Sequence, residues 1–105
     1  MAQFNIYSNA NSSTKENYPY LLDIQSSLFE ALDTRLVIPL VLVSKQKHKP
    51  IDGLMPIMVI KGNEFVLITS QIAGVHKNNL GTHISDINQN RQEIIAAIDF
   101  LITGF

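Results

Sequence analysis

The chain has 105 residues, 46% of them hydrophobic, and its eight basic and nine acidic side chains leave a formal net charge of -1. A chain of this length fits one domain, here residues 1–105, and folding can bury roughly two-thirds of its extended surface. Without cysteine it can have no disulfide, thiolate catalysis or Cys-ligated zinc, and its near-balanced charge disfavours direct nucleic-acid binding, which relies on basic stripes that neutralise phosphates.

Phe4, Ile6 and Ser8 alternate with Asn5 and Tyr7, which predicts a short opening strand. Asn9 to Asn17 is polar, small and charged, as a turn or mobile loop would be. Tyr18 to Ile24 returns to aromatic and branched residues and predicts a second strand, hairpinned to the first through that loop. Leu36 to Val43 is apolar at every position except for its Pro39 interruption, and its β-branched content favours a strand buried on both faces. Pro39 cannot donate to a ladder, so it marks a bulge, a bend or an unpaired position. Lys45, Lys47, His48 and Lys49 follow as a solvated basic run.

Met55 to Ile60 and Phe65 to Thr69 flank Lys61-Gly62-Asn63-Glu64, where Gly and Asn supply the positive φ of a tight hairpin turn. Gly74 to Gly81 reads as irregular. Asp86 with Gln89 forms a candidate capping box, with Ser85 the rival cap, for a helix from about Asp86 to Thr103. Gly104 stands where a helix commonly ends in the left-handed conformation. Sheet followed by helix is an α+β arrangement. From Ile94 to Ile102 only Asp99 is charged, so this helix must be covered on more than one side. One sheet covers one side, and a second copy of the chain is the simplest cover for the other.

No P-loop, dinucleotide fingerprint or zinc-protease helix is present, and His48, His76 and His83 show no metal-type spacing. No cofactor or metal is expected. Arg35, after Asp33, could stabilise charge in an RNA-cleaving site; its plainer role is an ion pair with a nearby acid, since residues two apart on a strand point the same way. The opening Met-Ala-Gln-Phe-Asn has no charged region leading into an apolar core, and no apolar stretch reaches the ~18 residues of a membrane span. The expected location is the cytoplasm.

Several stretches together resemble the CcdB (control of cell death) toxins. They are Gln3-Phe4-Asn5-Ile6-Tyr7, Leu22-Asp23-Ile24-Gln25-Ser26 beside the family's Val-Asp-Val-Gln-Ser, and Arg35-Leu36-Val37-Ile38-Pro39-Leu40 beside its Arg-x-Val-Ile-Pro-Leu. Leu54-Met55-Pro56, Thr69 to Val75, and Ile94, Ala97, Ile98 and Gly104 continue the match to the C-terminus.

The resemblance implies an SH3-like, CcdB-type antiparallel sheet of five strands, a small extra sheet and one C-terminal helix. It further implies a homodimer that poisons DNA gyrase by binding its A subunit, and a CcdA-like antitoxin that neutralises it, without bond chemistry by the toxin. Carried over by position, the gyrase-binding residues are Leu28, Phe29, Asp99, Ile102, Thr103, Gly104 and Phe105. The dimer interface takes Ile94, Ile95, Ile98 and Leu101. The antitoxin would meet Ser8, Asn9, Val43, Lys45, Lys47 and Phe105. One departure stands out: where a well-known relative ends in Phe-Trp-Gly-Ile, this chain has Ile102-Thr103-Gly104-Phe105 and no Trp anywhere. A homologue that binds antitoxin without toxicity, or a MazF-like endoribonuclease, are the alternative readings.

Overall fold

The computed structural model describes residues 2–104, and its first two strands form where side-chain alternation predicts them. In β1 (Asn5–Asn9), Ile6 faces the main core and Tyr7 a smaller cluster on the opposite face. β2 (Tyr20–Asp23) lies antiparallel to it, with Ile6 opposite Leu22, and divides its own side chains in the same way. The intervening loop is ordered by the Asn9 side chain. Its amide donates to Thr14 Oγ1 and to the Tyr18 carbonyl, both at 2.9 Å, and its carbonyl oxygen accepts from the Asn11 N–H at 3.0 Å.

β3 (Thr34–Leu42) is the central strand and is buried on both faces over most of its length, which explains its nearly unbroken apolar sequence. Ile38 and Leu40 enter the main core, while Val37 and Val41 enter separate clusters on the other side. Pro39 sits opposite Leu21 of β2. On its other flank β3 holds two strands end to end, so Pro39 falls between their ladders, where no donor is required. Its carbonyl still accepts from the Ile68 N–H at 3.0 Å.

β4 (Ile57–Ile60) and β5 (Asn63–Leu67) form a hairpin through a two-residue turn. The positive φ values belong to Lys61 (52°) and Gly62 (81°), as a primed turn requires at both central positions. Asn63, expected to share that task, opens β5 opposite Ile60 instead.

The stretch expected to be irregular is mostly strand. β6 (Ala73–His76) pairs with the first half of β3, and β7 (Leu80–Asp86) pairs with β1 through two register shifts. Two glycines and the bulged register conceal the period of two. The strand order is β4-β5-β3-β2-β1-β7, with β6 also on β3. Hydrogen bonds thus join seven described strands in one antiparallel sheet, where five and a small second sheet were expected, because β3 is long enough to pair with β5 and β6 in succession. The sheet curls until its edge strands β4 and β7 line a common cleft, and the main core fills the inside of the curl.

α1 (Arg91–Thr103) closes this core with Ile94 and Ala97. It begins five residues later than the predicted Asp86. The Ile87 N–H is held by the Phe4 carbonyl at 2.9 Å, and Ile87 itself (φ -129°, ψ 40°) is not helical. Asp86 therefore ends β7 and accepts from the Asn88 N–H at 3.4 Å, ahead of a short 3₁₀ turn (Asn88–Asn90) whose N-cap position is Ile87, and it does not cap the helix. At the other end Gly104 adopts φ 77°, and its N–H bonds the Phe100 carbonyl at 2.9 Å. Among the described residues, no helix is long and apolar enough to cross a membrane.

Candidate protein-docking site

The segment between β2 and β3 carries the most exposed apolar side chains and is anchored by a buried ion pair. In an antiparallel pair, diagonal neighbours on one face come within reach of long side chains. Asp23 stands opposite Val37, which places Arg35 diagonally from it on that face. Arg35 Nη2 and Nε approach Asp23 Oδ2 at 2.8 and 2.9 Å, with the two side chains 2% and 0% exposed. The second carboxylate oxygen accepts from the Gln25 N–H at 3.0 Å. Burial pushes the Asp23 carboxyl above its ordinary 3.8, against the Gln25 amide and the Arg35 guanidinium, which pull it down. Desolvation therefore outweighs attraction in this pair.

That partnership corrects the local reading of Arg35, because the fold brings it to an acid twelve residues away. Asp33 pairs instead with Lys77, at 3.7 Å on the surface. Arg35 is thus occupied in a buried structural bond, which disfavours the role of charge stabiliser in an RNA-cleaving site. Among the described residues, no group of three His, Asp or Glu is placed to hold a metal ion.

Above the pair, the chain turns through a 3₁₀ turn at Ser27–Phe29, capped by Ser26 Oγ accepting from the Leu28 N–H at 3.2 Å. The turn holds Leu28 and Phe29 outward, and Leu32 and Leu36 are exposed beside them. Phe29, Leu32 and Leu36 line a largely apolar groove of about 410 Å³ with Ile24, Gln25 and Ser26. Leu32 and Leu36 escaped the sequence reading, since Leu36 opens an apolar run that reads as buried. The available signal was the crowding of Leu28, Phe29 and Leu32 into a segment too short to bury them.

The end of α1 is a second exposed apolar element. Ile94 is wholly buried and Ile98 packs against the same core, whereas Ile95, Leu101 and Ile102 face outward. Thr103 turns its hydroxyl back to the Asp99 carbonyl at 2.7 Å. A third feature is a groove of about 440 Å³ where Asn17 and Tyr18 meet Val41 and the basic segment Lys45–His48.

The family model described as CcdB protein matches residues 3–104. The chain belongs to the CcdB family. Its fold is also similar to that of a solved chain titled "Endoribonuclease in complex with its cognate antitoxin from Mycobacterial species". The TM-score is 0.73 at 10% identity, over 97% of this chain and 94% of that one. At that identity the likeness concerns the fold alone.

Of the positions that CcdB-family resemblance assigns to gyrase, Leu28, Phe29, Asp99, Ile102, Thr103 and Gly104 are all exposed, on two separate elements. Phe105 lies outside the described residues. Of the dimer positions, Ile95 and Leu101 are outward, Ile98 is half-buried, and Ile94 is enclosed by its own chain; the inner face of α1 takes Ile94 for the core. Of the antitoxin positions, Lys45 and Lys47 are exposed and Val43 is half-buried against Val41, Val66 and Ile68. Ser8 and Asn9 are committed within the chain. Ser8 Oγ accepts from the Thr82 N–H at 2.8 Å, and Asn9 is the buried staple of the 10–18 loop. The same staple selects the turn from the two readings of this segment, a turn or a mobile loop, since residues 12–17 form turns.

Proposed function

We propose that this CcdB-family chain is the toxin of a toxin–antitoxin module, acting as a homodimer that binds the A subunit of DNA gyrase. By preferring the state in which gyrase holds cleaved DNA, it removes the enzyme from turnover until a CcdA-like antitoxin displaces it. Family membership supports the toxin role. One observation carries the docking reading: Leu28 and Ile102, both positions the resemblance assigns to gyrase, are 85% and 75% exposed, more than any other large apolar side chain described. Contiguous exposed apolar patches mark interaction surfaces, and Phe29, Leu32 and Leu36 line one next to Leu28. The outward Ile95 and Leu101 support the dimer, since α1 has one flank on its own core and an apolar flank without sheet to cover it.

Binding of a trap needs only differential affinity. A preference of a few kcal/mol for the cleaved state moves most of the population into it. Burying a leucine or isoleucine side chain is worth about 1.5–3 kcal/mol. Leu28→Ser and Ile102→Ser should therefore each weaken calorimetric binding of the gyrase A subunit by roughly tenfold to a hundredfold. Unchanged affinity in both variants contradicts the proposed surface.

A second reading is favoured by Thr103, which stands where a well-known relative has Trp and offers far less area for stacking. In that reading the protein binds antitoxin but does not poison gyrase. Expression in a sensitive host lacking antitoxin separates the two: normal growth with abundant folded protein selects the second.

A further inference from the structure

The docking segment has little regular structure of its own, and one half-buried amide ties it to the sheet. The Gln25 side-chain carbonyl accepts from the Leu36 N–H in β3 at 3.0 Å, and its NH₂ group donates to the Phe29 carbonyl at 3.0 Å. The backbone of the same residue is held from below. Its N–H donates to Asp23 Oδ1 at 3.0 Å, and its carbonyl accepts a longer bond from Arg35 Nη2 at 3.4 Å. The Phe29 carbonyl also receives the Leu32 N–H at 3.2 Å, so one bridge reaches both ends of the exposed turn.

We infer that Gln25 is the positioning residue of the docking segment. It holds the turn bearing Leu28 and Phe29 against the rigid β3 strand, in the outward arrangement that a gyrase A surface meets. This inference rests on the docking reading above. Its physical basis is pre-organisation: a turn that is already fixed loses less conformational freedom when a partner covers it. The buried Asp23–Arg35 pair, set beneath Gln25, serves as the foundation of that arrangement.

The test uses the full chain and purified gyrase A subunit. Gln25→Ala removes two hydrogen bonds of modest net strength without touching the main core, so it should weaken binding by about fivefold to tenfold while leaving the fold intact. Gln25→Glu keeps an acceptor for Leu36 but sets a carboxylate against the Phe29 carbonyl, and it should weaken binding to a similar extent. In a Leu28→Ser, Phe29→Ala background, Gln25→Ala should cost nothing further, because it acts only through those side chains. In the free protein, the Leu28, Phe29 and Leu36 amides should exchange hydrogen faster in Gln25→Ala than in the wild type.

Wild-type binding left undiminished by both Gln25 variants, or a full additional loss in the double background, overturns the positioning role. Unchanged amide exchange overturns it whether or not gyrase binds. Failure of the wild type itself to bind gyrase A overturns the docking reading, and this role with it, while the exchange data still report whether Gln25 orders the turn.

Discussion

Replacing Asp23 with Leu would strand the Arg35 guanidinium in a site where it is 2% exposed, with its Nε and Nη2 donors no longer meeting a carboxylate. The Gln25 N–H would lose its acceptor as well. Breaking a buried pair by removing one partner costs about 3–5 kcal/mol. A domain of this size has about 5–15 kcal/mol of stability in total. At roughly 4–8 °C per kcal/mol for a small domain, Asp23→Leu should lower Tm by about 12 °C or more. The double substitution Asp23→Leu with Arg35→Met removes the stranded charge and should recover most or all of that loss.

The pH dependence supplies an independent check. The folded-state Asp23 carboxyl is raised above its ordinary 3.8, so in the window just above that value the folded chain binds more protons than the unfolded one. Its contribution to stability is then fully present at lower pH and declines as pH rises through the folded-state value. The double variant lacks this titration and should gain on the wild type as pH rises above 3.8. Urea unfolding across that range measures both effects. A double variant as unstable as Asp23→Leu, or one that loses ground to the wild type as pH rises, would show that the stranded Arg35 charge is not the source of the loss. A stable double variant that binds gyrase A poorly would assign the pair to loop placement rather than to stability.

Asn9→Ala should leave the Tyr18 carbonyl and the Asn11 N–H without the side chain that joins them. We expect about 1–3 kcal/mol of destabilisation, read by denaturant unfolding, and faster proteolysis within residues 10–18. On α1, Leu101→Asp and Ile94→Asp should part ways. Ile94 is fully buried in the protomer and its substitution should prevent folding, whereas the outward Leu101 should yield a folded chain that sediments as a monomer. A Leu101→Asp variant that remains dimeric at micromolar concentration would exclude that face of α1 from the interface.

Elements whose pattern runs long enough were legible in the sequence. Eight successive apolar or proline positions identified β3, and Gly104 marked the end of α1 through the backbone conformation it alone tolerates easily. β6 and β7 were hidden because Gly74 and Gly81 interrupt the alternation and the β1 pairing is bulged. The helix start was misplaced because a capping signature is local, while the Phe4 carbonyl that holds the Ile87 N–H lies far away in the chain. The Asp23–Arg35 pair depends on strand register, which composition does not report. Leu28 and Phe29 were legible through family resemblance; Leu32, Leu36 and the Gln25 bridge were not, because exposure at the end of a buried strand leaves no mark in its hydrophobicity.

The proposed trapping of gyrase on cleaved DNA by this CcdB-family chain can be observed directly. The most direct measurement mixes the purified protein with gyrase, supercoiled DNA and ATP, then adds detergent and protease to reveal double-strand breaks. Linear DNA should appear in proportion to the wild-type protein, and little should appear with Leu28→Ser combined with Ile102→Ser. No linear DNA from the folded wild-type protein, with gyrase from its own source, would contradict it.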